Sequence, residues 1–497
     1  VSTPAELATT FRDAALAALP SASAYIEGRW VVGGGQPYAH LDPVSGEPLR
    51  TWTLAGPSEV DSAAETASRA QTQWAELSPA ERRDKLLALA DTMVSDADTL
   101  AGMVSLEMGM PLRMSRAGVR AAVEWFRHYA GHADKIDGVV PSVGPTRAAL
   151  DYTRYAPYGV VAAIIPWNGP VVALALKVAP ALAAGNAVVV KPSEFAPFSS
   201  LYFASLVTAA GLPTGVVNVV AGGPDVGARL CAQPDIKLIS FTGGAAAGRE
   251  VSQAASVRHL PTILELGGKS ASLVFPDVDI DKVAKLSAFM GIAQNSGQGC
   301  FLPTRLLVHR SIYDRMLDGV VAEANRFRLG DPFDPATTMG PVVNAVARDR
   351  ILGIIDAARR RGDGRLAYGG ASATGDLAGG NFIQPTIFAE VDPESPLGQD
   401  EVFGPVLSVM AFDDESEAVS IANNSRYGLA GYVWTADLGR AHRVAEALDA
   451  GYISVNGMAA LPPAAPFSGW KESGHGVEGG RHGLHEYLRI KNVHVQW

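Results

Sequence analysis

Five short β-branched runs, each separated from the next by an Ala- and Leu-rich helix-like stretch, constrain this chain more than any other feature. They lie at Gly159–Ile165, Ala187–Lys191, Val216–Val220, Lys237–Phe241 and Thr262–Leu266. Strands recurring every roughly 20–30 residues with helices between them imply βαβ units and a parallel sheet. A second series runs from Ala271 to Val455, clearest at Ala271–Phe275, Thr304–His309, Val406–Phe412 and Tyr452–Val455. Gly and Pro clusters punctuate both series, notably over Gly362–Gly380. Ahead of both, Val60–Ala75, Pro79–Leu106 and Arg116–Ala133 carry helical spacing. Asp61, Ser62 and Pro79 are suitable start signals for the first two.

Two stretches belong to neither series. Arg147–Tyr158 and Leu488–Trp497 alternate apolar and polar residues, as exposed strands do. Together they would make a small projecting sheet. An exposed edge of that kind usually finds a partner, so pairing between subunits is the economical expectation.

A chain of 497 residues is long enough for roughly two to four domains. Its net charge of -10 disfavours nucleic-acid binding, which needs an excess of Lys and Arg to neutralise phosphates. Cys231 and Cys300 are its only cysteines, which excludes a disulfide scaffold and points to a reducing compartment. The start, VSTPAELATTFRDAALAALP, lacks a basic segment followed by an apolar core, so no signal peptide is expected. The most apolar stretch, Val171–Ala184, is broken by Lys177 and Pro180 and is too short to span a bilayer. The expected location is cytoplasmic, with no membrane partner.

Several local patterns carry chemistry. Phe241-Thr242-Gly243-Gly244, with Gly248 beyond, ends one expected strand and opens a helix. Such glycines let a backbone approach a ligand, and a helix N-terminus favours phosphate. The spacing is not GxGxxG, and a tight turn without a ligand fits it equally. Lys191-Pro-Ser-Glu194 also ends a strand, where ligands of open parallel sheets collect. A carboxylate there can accept both hydroxyls of a ribose, although a solvated loop fits too. Cys300 follows Gly297-Gln-Gly299, which leaves space around its sulfur, whereas Cys231 sits in a helix-like segment and reads as structural. Glu265, between Leu264 and Leu266, is costly to bury without a partner or a task. Asn168 in Pro166-Trp167-Asn168 is either a neutral donor for an oxyanion or the cap of the next helix. No His or Cys cluster has metal-ligand spacing, so no metal is expected.

In order, PWN, KPSE, FTGG, ELGGK, GQGC, EVFGPV and PFSGWKESG resemble the signatures of the aldehyde dehydrogenase superfamily. The resemblance runs from Tyr25 to Trp497. It implies an NAD-dependent, non-acylating enzyme of α/β class. A Rossmann-like cofactor domain would comprise residues 1–134 and 158–264, and a catalytic domain 265–481. Residues 135–157 and 482–497 would form a small β oligomerisation domain of a homodimer or homotetramer.

By that resemblance Cys300 is the nucleophile, Glu265 the general base and Asn168 the oxyanion donor, with Lys177 and Glu478 relaying protons to Glu265. Lys191 and Glu194 hold the adenosine ribose, and Glu401 and Phe403 the nicotinamide ribose and ring. Thr242, Gly243, Gly244 and Gly248 border the pyrophosphate, with Ile164, Pro166, Trp167, Phe241 and Leu266 completing the cofactor site. The charge of Glu194 would oppose a 2′-phosphate, so NAD is expected over NADP. The substrate tunnel would take Gly169, Val172 and Leu176 from one helix and Ala117 and Ala121 from another. Gly299 and Phe301 flank the nucleophile, and Ala459, Leu461 and Phe467 face them. None of these tunnel residues is charged, which suits a bulky apolar aldehyde over a charged semialdehyde.

The chain departs from the family at Gly244, where Ser is usual, and at Ser468 and Val477, where Gly and Arg are more common. Phe301-Leu302-Pro303 is bulkier than in many relatives. Two other functions compete. One is a coenzyme A-acylating dehydrogenase, whose members generally lack the Glu found here at 265. The other is a non-catalytic structural protein on this fold, against which Cys300 and Glu265 both stand.

Overall fold

The computed structural model describes residues 4–142, 148–458 and 461–497. Two mixed sheets organise it. The first has eight strands in the order Arg29–Val31, Ala24–Ile26, Val217–Val220, Ala187–Lys191, Val160–Ile164, Ile236–Thr242, Thr262–Glu265 and Gly474–His475. Its five central strands are parallel and its edges antiparallel. The second has seven, in the order Arg365–Tyr368, Thr386–Ala389, Val406–Phe412, Arg305–His309, Ala271–Val274, Ala430–Trp434 and Tyr452–Val455. All are parallel except the first pair.

Val160–Ile164, Ala187–Lys191 and Val217–Val220 are buried along their whole length, which is why they read as nearly unbroken apolar runs. From Val160–Ile164 the chain steps outward through two strands, then returns to add Ile236–Thr242 on the other side. The carboxyl ends of Val160–Ile164 and Ile236–Thr242 therefore splay apart at a topological switch point, where open α/β sheets bind ligands. Pro166-Trp167-Asn168 and Thr242-Gly243-Gly244 leave from those two ends.

The expected helix Pro79–Leu106 is two helices, Pro79–Ser95 and Ala97–Met108. Asp96 ends one and begins the other with φ -104° and ψ 15°, outside helical geometry. The apolar periodicity runs through this break, so spacing alone did not reveal it. The expected helix Arg116–Ala133 is Leu112–Ala130.

Ala149–Pro157 and Leu488–Gln496 pair antiparallel over nine residues, from Leu488 opposite Pro157 to Gln496 opposite Ala149. Arg147, the expected start of the first of these strands, lies outside the described residues. Asp151 pins the ribbon, accepting from Asn492 Nδ2 at 2.6 Å and contacting His494 Nδ1 at 2.8 Å. Ile490 and Trp497 are left exposed on it. Among the described residues no helix is long and apolar enough to cross a membrane.

Candidate active site

A cleft of about 200 Å³ opens at the switch point. Pro166, Trp167 and Asn168 line it from one strand end, and Thr242, Gly243 and Gly244 from the other. Leu266, Gly267, Cys300, Glu401 and Phe403 close it from further along the chain. Ten of the residues singled out in the sequence meet here, and Gly267 joins them. Gly267 was legible only as part of ELGGK.

The turn that delivers Cys300 is unusual. A π-helix, Phe289–Ala293, precedes it, and Asn295, Ser296 and Gly297 are left-handed in succession (φ 50°, 52° and 71°). Such runs are costly and persist where surroundings over-determine them. Here Asn295 donates through Nδ2 to Asn168 O (2.9 Å) and Gln298 O (2.7 Å), and Ser296 donates to Gly340 O at 2.8 Å. A side chain at Gly297 would strike Gly404 O at 2.0 Å, so the turn also packs backbone against backbone.

Asn168 is not a helix cap. Gly169 takes that place, and the helix Pro170–Ala183 starts without a side-chain cap. One proton of the Asn168 amide goes to Gln298 O at 3.1 Å, which fixes the amide plane. Nδ2 carries a second proton, on a residue that lines the cleft beside Cys300.

Cys300 is partly exposed, yet burial and then the Glu401 and Glu265 carboxylates push its thiol up to about 12. Cys231 is sealed in the first core, and burial alone raises it to about 11. Glu265 is 3% exposed and neither carboxylate oxygen has a well-aligned hydrogen-bond partner. Burial, then Glu478, hold it well above the ordinary carboxylate range, while Lys177 and the Gly469 amide pull it down. Lys177 Nζ donates to Glu478 Oε1 at 2.7 Å, with both side chains buried. Glu478 is set by reciprocal backbone bonds with Phe467 at 2.6 and 2.8 Å.

Glu401 Oε1 accepts the Gly268 amide at 3.0 Å, and burial raises its carboxyl. Phe403 has φ 52° and meets Trp167 edge-on, with centroids 5.4 Å apart. Lys191 and Glu194 lie 3.8 Å apart at the end of their strand. Burial lowers Lys191, against the pull of Glu194 and Asp225. Gly244 caps the helix Ala245–Ser256, and a Cβ on it would meet nothing within 4 Å. Gly248 lies under Leu266, whose Cδ2 would be 2.6 Å from a Cβ there, and Phe241 and Ile164 are buried behind the cleft.

The residues expected to line a substrate tunnel are less uniform. Gly169 has open space where a Cβ would be, Val172 is half-buried and Leu176 buried. Ala117 and Ala121 are exposed, and it is Gly118 that faces Val172, at 3.5 Å from a notional Cβ to Cγ2. The buried stripe of that helix runs through Ser115, Val119, Ala122 and Phe126, which turns Ala117 outward. Gly299 is packed by Leu302, while Phe301 joins Met290, Ala430 and Tyr432. Phe467 is buried, Leu461 half-buried, and Ala459 lies outside the described residues. Among the described residues no group of His, Cys, Asp and Glu is arranged to hold a metal.

Residues 30–493 match the model of the aldehyde dehydrogenase family. An aldehyde dehydrogenase of Emericella nidulans is 39% identical over 465 residues, 93% of this chain and 92% of its own. PnpE from Pseudomonas sp. WBC-3 superposes with a TM-score of 0.93 at 40% identity, over 96% of this chain and 97% of that one. An indole-3-acetaldehyde dehydrogenase solved with NAD+ does so at 0.95 and 34% identity, covering 100% of both chains. Motifs, fold and relatives agree: the chain belongs to the aldehyde dehydrogenase family.

Proposed function

We propose that the protein oxidises an aldehyde to its carboxylic acid with NAD, through a thiohemiacetal and then a thioester on Cys300 that water hydrolyses. The observation that carries this reading is the setting of Cys300. Its thiol shares a cleft with the free amide proton of Asn168, and the buried carboxyl of Glu265 is near enough to disfavour the thiolate.

The residues fit NAD. The Gly244 cap leaves the first amides of its helix open to a phosphate, with no Cβ to block approach. Glu401 reaches the cleft as a half-buried carboxylate suited to ribose hydroxyls, and Trp167 and Phe403 offer aromatic walls to a flat ring. Lys191 and Glu194 would take the adenosine ribose, and the charge of Glu194 favours NAD over NADP. Bound NAD supplies the hydride acceptor. The protein does the rest. Cys300 gives its thiol proton to solvent and adds through sulfur to the carbonyl carbon, whose π pair moves onto oxygen. Asn168 and the Cys300 amide receive the charge that develops on oxygen. Glu265 takes a proton from water, which attacks the thioester carbonyl; the C–S bond breaks, the acid leaves and Cys300 departs as the thiolate. Burial holds that carboxyl high, which makes its ionised form a stronger proton acceptor than an exposed carboxylate. Lys177 and Glu478 lead the proton away.

The substrate is a bulky, mostly apolar aldehyde. The vacancy beside Gly169 supports this, as do the apolar side chains of Val172, Leu176 and Phe467. The cofactor domain comprises 1–134 and 158–264, the catalytic domain 265–481, and residues 135–157 and 482–497 join subunits into a homodimer or homotetramer. The exposed Ile490 and Trp497 on that ribbon support the last point.

Acid formation from an aldehyde and NAD alone tests the reaction type. Product without coenzyme A is expected. Product only with coenzyme A would make the protein an acylating dehydrogenase instead.

A further inference from the structure

The buried Lys177–Glu478 pair does not end at those two side chains. Lys177 Nζ also donates to Ser240 Oγ at 3.2 Å, and the Tyr487 hydroxyl donates to the same oxygen at 3.1 Å. Ser240 is 0% and Tyr487 1% exposed. Ser240 sits on the strand Ile236–Thr242, just ahead of the Thr242–Gly244 turn. Tyr487 immediately precedes the ribbon strand Leu488–Gln496, and its carbonyl accepts from Asn186 Nδ2 at 2.9 Å. Its ring is therefore fixed by its backbone as well as by its hydroxyl.

A fully buried ammonium is tolerated only when its protons find partners. Lys177 donates one hydrogen bond to Glu478 and another to Ser240. The two lone pairs of Ser240 Oγ are then both in use, one for Lys177 and one for Tyr487. This geometry leaves the ammonium little freedom to move from Glu478.

We propose that Ser240 and Tyr487 are positioning residues for thioester hydrolysis, holding the Lys177 ammonium in place and thereby setting how readily Glu265 accepts a proton. The inference rests on the assignment of Glu265 as general base. The charges facing Glu265 are Glu478, which opposes its ionisation, and Lys177, which favours it, with Cys300 on the cleft side. Tyr129 and Glu486 are further titratable groups around Glu478 and Tyr487. When Ser240 or the Tyr487 hydroxyl is removed, the ammonium is held less well. Its favourable field at Glu265 weakens while the opposing Glu478 remains. Glu265 then stays protonated to higher pH.

The experiment forms the thioester with NAD and an aldehyde and follows its decay across pH, in wild type, Ser240→Ala and Tyr487→Phe. Both variants should form the thioester at the wild-type rate. The acid limb of the decay should move up by roughly one pH unit in each. In a Glu265→Gln background the same substitutions should leave the residual decay unchanged. An unmoved acid limb, or an equal slowing with and without Glu265, would overturn the proposal, because packing alone would then explain both residues. Failure of the base assignment is a separate result: Glu265→Gln by itself would leave thioester decay at the wild-type rate.

Discussion

A methyl group at Gly267 would lie 2.5 Å from Glu401 Oε2. That contact is too short for any real Cβ, so the carboxylate has its place only because residue 267 is glycine. Glu401 is at the same time tied through Oε1 to the Gly268 amide. Gly267→Ala should swing the carboxylate out of the cleft and raise KM for NAD about tenfold, equivalent to about 1.4 kcal/mol of binding. Steady-state kinetics with varied NAD checks this. An unchanged KM would remove Glu401 from the cofactor site.

The two thiols should behave differently. Cys300→Ala should abolish NADH formation, while Cys231→Ala, a small change in an apolar core, should leave kcat within about twofold and cost only modest stability. Activity assays with thermal melts separate the two effects. Equal loss of activity from both would show that the wrong thiol has been assigned.

Asn168→Ala should lower kcat by about 10²–10³ if the amide supplies one donor to the oxyanion. KM for aldehyde should change far less, since the donor acts on charge that develops during reaction. A loss below about threefold in kcat would leave the amide with only its bond to Gln298.

Much of the first sheet was legible because its central strands are covered on both faces and are written as apolar runs. Ala187–Lys191 matches the structure to the residue. The strands Ala24–Ile26 and Arg29–Val31 and the hairpin of Pro37–Leu41 with Pro48–Thr53 were not read, being short or partly exposed and so without a clean period. Cys300 and Glu265 stand out because a thiol among glycines and a carboxylate among leucines are locally anomalous. Ser240 and Tyr487 have no such local mark. Their contact spans 247 residues and exists only once the sheet is folded.

Gly169 offers a test of substrate size. On the present reading Gly169→Phe should fill the vacancy beside it, raising KM for a cyclic or branched C8–C10 aldehyde while sparing acetaldehyde. Each methylene excluded costs about 0.8 kcal/mol of burial. A comparison of kcat/KM for both aldehydes in both proteins decides it. If wild type prefers acetaldehyde or succinic semialdehyde, the tunnel is not wide and apolar.

The most direct test of the central claim uses Glu265→Gln, an apolar aldehyde and NAD, quenched in acid and weighed as intact protein and as peptides. The account predicts roughly one equivalent of NADH in a burst. It predicts an acyl adduct on the Cys300 peptide that decays slowly. NADH produced with no adduct, or an adduct on the Cys231 peptide instead, would contradict it.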